Sequence, residues 1–267
     1  MKTDVLLPQW LDDLIFRQMG AKYCRSNKDI TVIDWDKNDV LNYLGTYFPR
    51  SYAEAYCIFT EFFKRYPNKM NGKKDLNIFD FGCGTGGEII GLLMAANESI
   101  PYVEKFSITA MDGNFHSLRL LEQIMENYRE TKDVPINLKV LPITIDDFYD
   151  LSVLDRVITD KYDLFLTSKA ICEFVSKEQF EKKNPYANIA KTFLPKMCNN
   201  GIMLFTDVTS YSGVSQEWLP KMMDKGLKEV GCEIILKNIG FNQIFNISHR
   251  ERKNDISKIA WRIIKKM

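Results

Sequence analysis

From residue 76 onward, short apolar runs alternate with stretches of helical spacing. Ile78, Phe79 and Phe81 form the core of a first strand. Phe106 to Met111, Ile136 to Leu141, Tyr162 to Thr167 and Gly201 to Asp207 read as four more. Between them lie amphipathic or buried helices: one from Glu88 through Met94, and one over Phe115 to Tyr128 with Leu118, Leu121, Ile124 and Met125 on one side. Two more span Tyr186 to Met197 and Trp218 to Val230. Segments near 232–237, 242–248 and 258–264 close the chain as strands with no helix between the last two. Strands alternating with helices predict an α/β chain with a doubly wound, mostly parallel sheet. The closing strands predict an antiparallel C-terminal hairpin.

Before residue 76 the spacing is helical. Leu6, Leu7, Trp10, Leu11, Leu14, Ile15 and Met19 share one face of a helix predicted over residues 4–19. Asp36 or Asn38 caps a short helix through Val40, Leu41 and Leu44, and Pro49-Arg50-Ser51 opens a longer one from Tyr52 to Tyr66. These segments predict a helical N-terminal cap over residues 1–72 and an α/β domain over 73–267. The polar stretch Pro67 to Asp75 links them.

Composition narrows the function classes without choosing one. A formal charge of +1 gives no global polycation for nucleic acid, and no apolar run reaches the length of a membrane span. The N-terminus has no signal-peptide pattern. The six cysteines (24, 57, 83, 172, 198, 232) are scattered without a C-x-x-C pair. That predicts neither a metal site nor a disulfide scaffold, and a reduced, cytoplasmic setting.

The chemistry concentrates in Asp80-Phe81-Gly82-Cys83-Gly84-Thr85-Gly86-Gly87-Glu88. A strand runs into a glycine turn and then a helix, which lets bare backbone approach a ligand. The spacing of Gly82, Gly84 and Gly87 also satisfies the dinucleotide fingerprint G-x-G-x-x-G. Asp80 and the additional Gly86 separate the two readings, because a carboxylate before the glycines suits a cationic ligand with an amino-acid head better than a phosphate. The segment resembles the first motif of class I S-adenosylmethionine (SAM)-dependent methyltransferases, an acid followed by G-x-G-x-G. The resemblance covers the order of elements over residues 76 to 267. It implies a seven-stranded Rossmann-like sheet, transferase activity and SAM as cofactor.

It also implies a site. Asp80 and the backbone of Gly82, Cys83, Gly84, Thr85 and Gly86 cradle the methionine part of SAM. Asp112, ending the second strand, accepts the ribose hydroxyls in a forked contact, with Gly113 and Asn114 at the adenine edge. Asp146 accepts the adenine amino group, and Ile145 or Phe148 packs on the ring. Simpler readings stand beside these: Asp112 as a cap for the helix near Phe115, Asp146 or Asp147 as a cap for a short helix, and Cys83 as a small spacer.

The fourth strand ends in Ser168-Lys169-Ala170-Ile171-Cys172-Glu173, at the position that faces the transferred methyl in the family. No [D/N]-P-P-[Y/F] motif is present, no Lys-Asp-Lys-Glu set is supported, and Cys172 lacks a Pro-Cys setting. Ser168 and Lys169 are the candidates for catalysis, with a Lys169–Glu173 surface ion pair as the alternative. The segment Asn42 to Tyr56 is similar to the Y-L-x-x-x-x-P-x-x-Y-A helix of methyltransferase-like proteins associated with the small ribosomal subunit, without the cysteine cluster of their mitochondrial members. Within it, Arg50 and Tyr52 are placed as a lid over SAM, or Pro49-Arg50-Ser51 serves only to start a helix. The basic end (His249 to Asn254, Arg262, Lys265, Lys266) reads as a phosphate contact or as a solvated hairpin and tail. Together these slightly favour an RNA acceptor over a small molecule or a protein. A non-catalytic binding or assembly protein with the SAM fold is the second class. A nicotinamide oxidoreductase is the third, although the Tyr128/Lys132 Y-x-x-x-K spacing falls on the helix after the second strand, away from where such enzymes use it.

Overall fold

The computed structural model describes residues 3–24, 35–132, 134–210 and 218–266, so Met1 and Lys2 of the N-terminus lie outside the described residues. The chain forms two compact units. One comprises Met1–Asp75, Gly82–Thr144 and Ile244–Ser257, and the other Leu76–Phe81, Ile145–Gln243 and Lys258–Met267.

In the first unit, β1 (Asp4–Leu6) pairs in parallel with β8 (Gln243–His249), Val5 opposite Ile247. Helix α1 (Gln9–Asp12) and a π-helical turn over Asp13–Gln18 follow. Only part of the helix expected over residues 4–19 therefore forms. Pro8 stands at its N-cap position, and ahead of it the backbone of residues 4–7 bonds to β8. That pairing is with a segment far along the chain, so local spacing could not disclose it.

The two helices expected on either side of Pro49 are one. Helix α2 runs unbroken over Lys37–Arg65, with Asp36 as its N-cap in a capping box with Asp39. A proline inside a helix costs about 3 kcal/mol. Burial on both sides of it prevails: Val40, Leu44, Phe48, Tyr52, Ala55, Phe59 and Phe62 are all buried and stay in one helical register across the proline. Gly45 is also forced, since a Cβ there would lie 2.4 Å from the Lys22 carbonyl oxygen. Thr46 holds that passing segment: its hydroxyl accepts from the Cys24 N–H at 2.9 Å.

Helix α2 lies on α3 (Gly87–Ser99) at backbone contact. A Cβ at Gly87 would meet the Phe48 carbonyl oxygen at 2.6 Å, and one at Gly91 the Tyr52 carbonyl oxygen at 2.4 Å. β3 (Lys105–Asp112) and β4 (Ile136–Pro142) pair in parallel, and α4 (Phe115–Lys132) connects them in the chain.

In the second unit, β2 (Asp75–Phe81) and β6 (Met197–Val208) flank β5 (Tyr162–Ser168) in parallel. β9 (Arg252–Lys266) runs antiparallel to β6 and to β7 (Cys232–Lys237). Helices α5 (Ser152–Val157), α6 (Ile171–Phe174), α7 (Lys177–Lys182), α8 (Pro185–Phe193) and α9 (Leu219–Glu229) complete the unit. Its core is aromatic: Phe193 of α8 sits 4.3 Å from Phe165 and 5.1 Å from Phe79, ring centre to ring centre. Buried Arg262 of β9 grips Asp224 of α9 and, through Nη1 at 2.7 Å, Asn238.

The α/β class, the mostly parallel strands and the antiparallel C-terminal strands are as the sequence predicts. The described residues form nine strands, counting the three-residue β1.

The contact between α2 and α3 can be tested at Gly91. Alanine would gain about 1 kcal/mol of helix propensity, but its Cβ cannot fit without moving α2, and overpacking of this kind costs about 1–3 kcal/mol. Gly91→Ala should therefore lower the urea midpoint, whereas a rise would refute the close packing.

Candidate functional site

The glycine loop is fixed from two sides in the first unit. The N–H groups of Gly82 and Cys83 both donate to the Met111 carbonyl, at 2.9 and 3.0 Å. The N–H of Gly84 donates to Asp112 Oδ2 at 2.8 Å, and that of Asn114 to Asp112 Oδ1 at 2.8 Å. Gly84 and Gly86 have φ of +49° and +80°, the left-handed region in which a side chain would be strained. Gly86 is also the N-cap of α3, and a Cβ on it would strike Leu121 Cδ1 at 2.3 Å. Cys83 and Thr85 are buried, and the Cys83 thiol points back at the Gly84 carbonyl at 3.7 Å, as a spacer would.

Asp112 is not the cap of α4. Asn114 takes that place, its Oδ1 accepting from the Ser117 N–H at 2.9 Å. Burial raises the Asp112 pKa, while the N–H bonds from Asn114, Gly84 and Gly113 pull it down. A carboxylate has about four acceptor positions. The three N–H bonds from Gly84, Gly113 and Asn114 therefore leave capacity for about one ligand hydroxyl.

Helix α2 brings aromatic side chains over this loop, but not the predicted one. Tyr52 is buried and stacked on Tyr56 at 5.9 Å, and burial followed by neighbouring Tyr56 and Glu98 raises its phenol pKa. The ring that reaches the loop is Tyr43, 3.4 Å from where a Gly84 Cβ would stand. It packs between Trp35 at 5.0 Å and Tyr47 at 4.9 Å. Asn114 Nδ2 donates to the Trp35 carbonyl at 3.1 Å, tying the cap of α4 to this cluster. Tyr43 lies inside the N-terminal similarity segment, so spacing from Pro49 was the available signal. Asn114 was expected at the adenine edge from its place after Asp112, and its bond to the Trp35 carbonyl had no signal in the sequence, as Trp35 itself had none beyond residue type.

Arg50 is engaged within the protein. It holds Asp255 through Nε at 2.6 Å and Nη2 at 2.9 Å, also donates to the Tyr23 hydroxyl, and sits 5.4 Å from the Tyr47 ring centre. The expected contact with a SAM carboxylate would require it to leave a buried carboxylate, which is costly. The other reading, that Pro49-Arg50-Ser51 only starts a helix, also fails, because the helix is already three turns long there. Beside this pair, His249 stacks on Phe16 at 4.9 Å and 4°, with no hydrogen-bond partner on either ring nitrogen. Burial lowers its pKa below the ordinary 6.5, against the opposing pull of Asp255 and Asp12.

The other predicted residues lie in the second unit. Asp80 is fully buried on β2, opposite Leu166 of β5. Ile145 is half-buried and Asp146 exposed, while Asp147 accepts from the Tyr149 N–H at 2.9 Å. Phe148 is a core residue edge-on to Phe81, its carbonyl held by Asn188, so of the two candidates for ring packing Ile145 is the one not committed to the core. Ser168 Oγ accepts from the Thr206 hydroxyl at 2.9 Å. Lys169 has φ +59°, uncommon for a residue with a side chain, and its carbonyl accepts from the Cys172 thiol at 3.0 Å. Asp207, fully buried at the end of β6, accepts from the Tyr186 hydroxyl at 2.8 Å. Burial and then Asp207 push the Cys172 thiol pKa well up, which keeps it protonated and argues against a nucleophile.

Half of the cations of the basic C-terminal end are in ion pairs: Arg250 pairs with Asp12 and Asp13, Arg262 with Asp224, and Lys265 with Glu233. The solvated-hairpin reading fits these pairs better than a phosphate surface. Among the described residues no helix is long and apolar enough to cross a membrane. Among the same residues no group of three or more His, Cys, Asp or Glu is placed to hold a metal ion.

No protein-family model and no curated protein matches this sequence. Solved structures do. NSun6 from Pyrococcus horikoshii superposes with a TM-score of 0.50 at 14% identity, over 79% of this chain and 51% of that one, so this chain spans about half its length. PH1948 from the same organism, described as a candidate RNA methyltransferase, gives 0.49 at 12% identity over 96% of this chain and 98% of that one. The trans-methyltransferase CalH, in complex with SAH, gives 0.48 at 12% over 90% and 62%. At such identities the likeness is one of fold: the Rossmann-like α/β fold of class I SAM-dependent methyltransferases.

The buried histidine gives a pH test. Above pH 6.5 His249 is neutral whether folded or not. As pH falls through 6.5 the unfolded chain binds the proton first, because the folded pKa is lowered. Stability should therefore drop on acidification, and His249→Phe, which keeps the stack on Phe16, should lessen the drop. Urea titrations of both proteins at pH 7.5 and 5.5 measure it. Equal losses would show that His249 does not carry the effect.

Proposed function

We propose that this protein is a SAM-dependent methyltransferase, with a helical N-terminal segment over residues 1–72 serving the domain over 73–267. The observation that carries the reading is the Asp112 carboxylate: it is held by the N–H groups of Gly84 in the loop and of Gly113 and Asn114 after it, yet keeps acceptor capacity, at the end of the strand that follows a glycine loop with three left-handed residues. This donor and acceptor set suits SAM. Backbone from Gly82 to Gly86 would hold the amino-acid part, Asp112 the ribose, and Gly113 the adenine edge. The parts assigned to Asp80, Ile145, Asp146 and Ser168 rest on motif order along the chain.

When bound, SAM supplies a methyl group already activated on a sulfonium. The chain's own work is then mainly to position and to exclude water. The Trp35–Tyr43–Tyr47 cluster suits exclusion. A general base is needed only for an acceptor that must lose a proton. Ser168 and Lys169 remain the catalytic candidates by their place at the end of β5. The acceptor we favour is RNA, supported by the similarity of residues 42–56 to ribosome-associated methyltransferase-like proteins. A small molecule or a protein is the alternative. A non-catalytic SAM-fold binding protein is the second reading, favoured by the Ser168–Thr206 bond and by the burial and neighbouring Asp207 that push the Cys172 thiol pKa up.

Calorimetry with SAM, S-adenosylhomocysteine and NAD tests the cofactor. Both adenosyl ligands should bind and NAD should not. Asp80→Asn and Asp112→Asn should each weaken SAM by roughly tenfold to a hundredfold, the loss of one charged hydrogen-bonding partner, with the fold retained by circular dichroism. NAD binding alone, or unchanged SAM affinity in both variants, would overturn the assignment. A labelled-methyl screen over RNA, protein and metabolite pools then separates the acceptors, and SAM binding without transfer to any pool would favour the non-catalytic reading.

A further inference from the structure

The outer side of α4 carries a cavity of about 640 Å³ that the glycine loop does not use. It is walled by α4, by the π-helical turn before α2 and by the first turns of α2 itself. Its volume lies within the range of small-molecule sites. Phe115, the first residue of α4, stands at it with 55% of its surface exposed. An aromatic ring left half in water beside a cavity offers a face on which something flat can stack. Arg119, one turn along α4, holds its guanidinium carbon 5.0 Å from that ring centre. Lys37 adds a second cation from α2, and Gln123 adds an amide that can both donate and accept. Among the described residues of the lining Glu126 is the only acid, against Lys37 and Arg119.

A half-exposed aromatic ring with a planar cation over one face, a point cation and an amide in one cavity match the parts of an unpaired nucleotide. The base stacks on the ring or the guanidinium, the amide meets its hydrogen-bonding edge, and the cations take the phosphate. An acidic peptide would use the cations and leave the ring idle. A neutral metabolite would leave the cations idle. We propose that this cavity seats one unpaired nucleotide of a single-stranded RNA acceptor. The proposal rests on the RNA reading of the proposed function and gives it a location. The site also has a fixed place relative to the loop, because Phe115 follows directly on Asn114, the residue that caps α4 and bonds the Trp35 carbonyl.

The test is fluorescence anisotropy with a short fluorescein-labelled oligoadenylate, run beside a SAM titration of the same proteins. Phe115→Ala should weaken the oligonucleotide by roughly tenfold, as loss of one stacking platform does. Phe115→Trp should restore binding and Phe115→Leu should not, which separates a stacking face from mere bulk. Arg119→Gln should weaken binding and flatten its salt dependence. SAM affinity should be the same in all of them. Wild-type protein that binds SAM but not the oligonucleotide would overturn this inference and leave the methyltransferase reading standing. Binding that Phe115→Ala leaves intact would overturn it too, as would a polyglutamate peptide that displaces the oligonucleotide, since the site would then be a general anion site. Oligonucleotide binding that depends on Phe115, in a protein that does not bind SAM, would support the inference and sink the cofactor assignment instead.

Discussion

The carboxylate of Asp112 does two jobs that compete for the same oxygens. It is almost wholly buried, so the charge needs partners, and each oxygen finds one in a backbone N–H, from Gly84 on one side and Asn114 on the other. Those two bonds give the glycine loop a fixed distance from the end of β3 and set the start of α4. Burial by itself would push the group toward its neutral form; the N–H bonds oppose that. The loop in turn needs glycine where it does because Gly84 and Gly86 adopt left-handed backbone and because Leu121 of α4 fills the space beside Gly86. Strand end, loop and the two helices that follow are thus one mechanical piece.

Helix α2 completes that piece through the absence of side chains. Gly87 and Gly91 let its backbone lie directly on α3, which places Tyr43 against the loop and Trp35 against the cap of α4. Gly87 therefore has a use other than the one the dinucleotide fingerprint gives its third glycine. There the residue admits close packing of helix on strand; here it admits a second helix. The ion pair of Arg50 with Asp255 fastens α2 to the start of β9 within the same unit. Helix α2 is thus held by buried charge and aromatic stacking, while the buried indole N–H of Trp35 beside it has no hydrogen-bond partner.

Much of this was legible in the sequence, and the exceptions share a cause. The longer elements after residue 76 show a period that their own residues enforce, so Phe106 to Met111 or Trp218 to Val230 could be placed to within a residue or two. The glycine loop announced itself by composition. What escaped was set by partners distant in sequence. β1 exists because β8 offers an edge to Asp4–Leu6. Arg50 looked available for a ligand because its partner, Asp255, lies 205 residues away. Tyr52 and Tyr43 are both aromatic residues on one helix, and only the packing of that helix decides which reaches the loop. Pro49 was misread for another reason: the unbroken apolar register from Val40 to Phe62 was present in the sequence, and the local penalty of a proline was given more weight than that burial. The short helices α5, α6 and α7 have too few turns to show a period.

The central claim is that the glycine loop, the end of β3 and the aromatic face of α2 together receive an adenosyl ligand. Hydrogen–deuterium exchange with and without saturating S-adenosylhomocysteine tests it most directly, because the amides concerned belong to three separate peptides. The account predicts slowed exchange in residues 82–90, in 111–117 and in 39–50, with little change in the strands of the second unit beyond β5. Protection confined to other segments, or none at ligand concentrations that saturate binding, would contradict it.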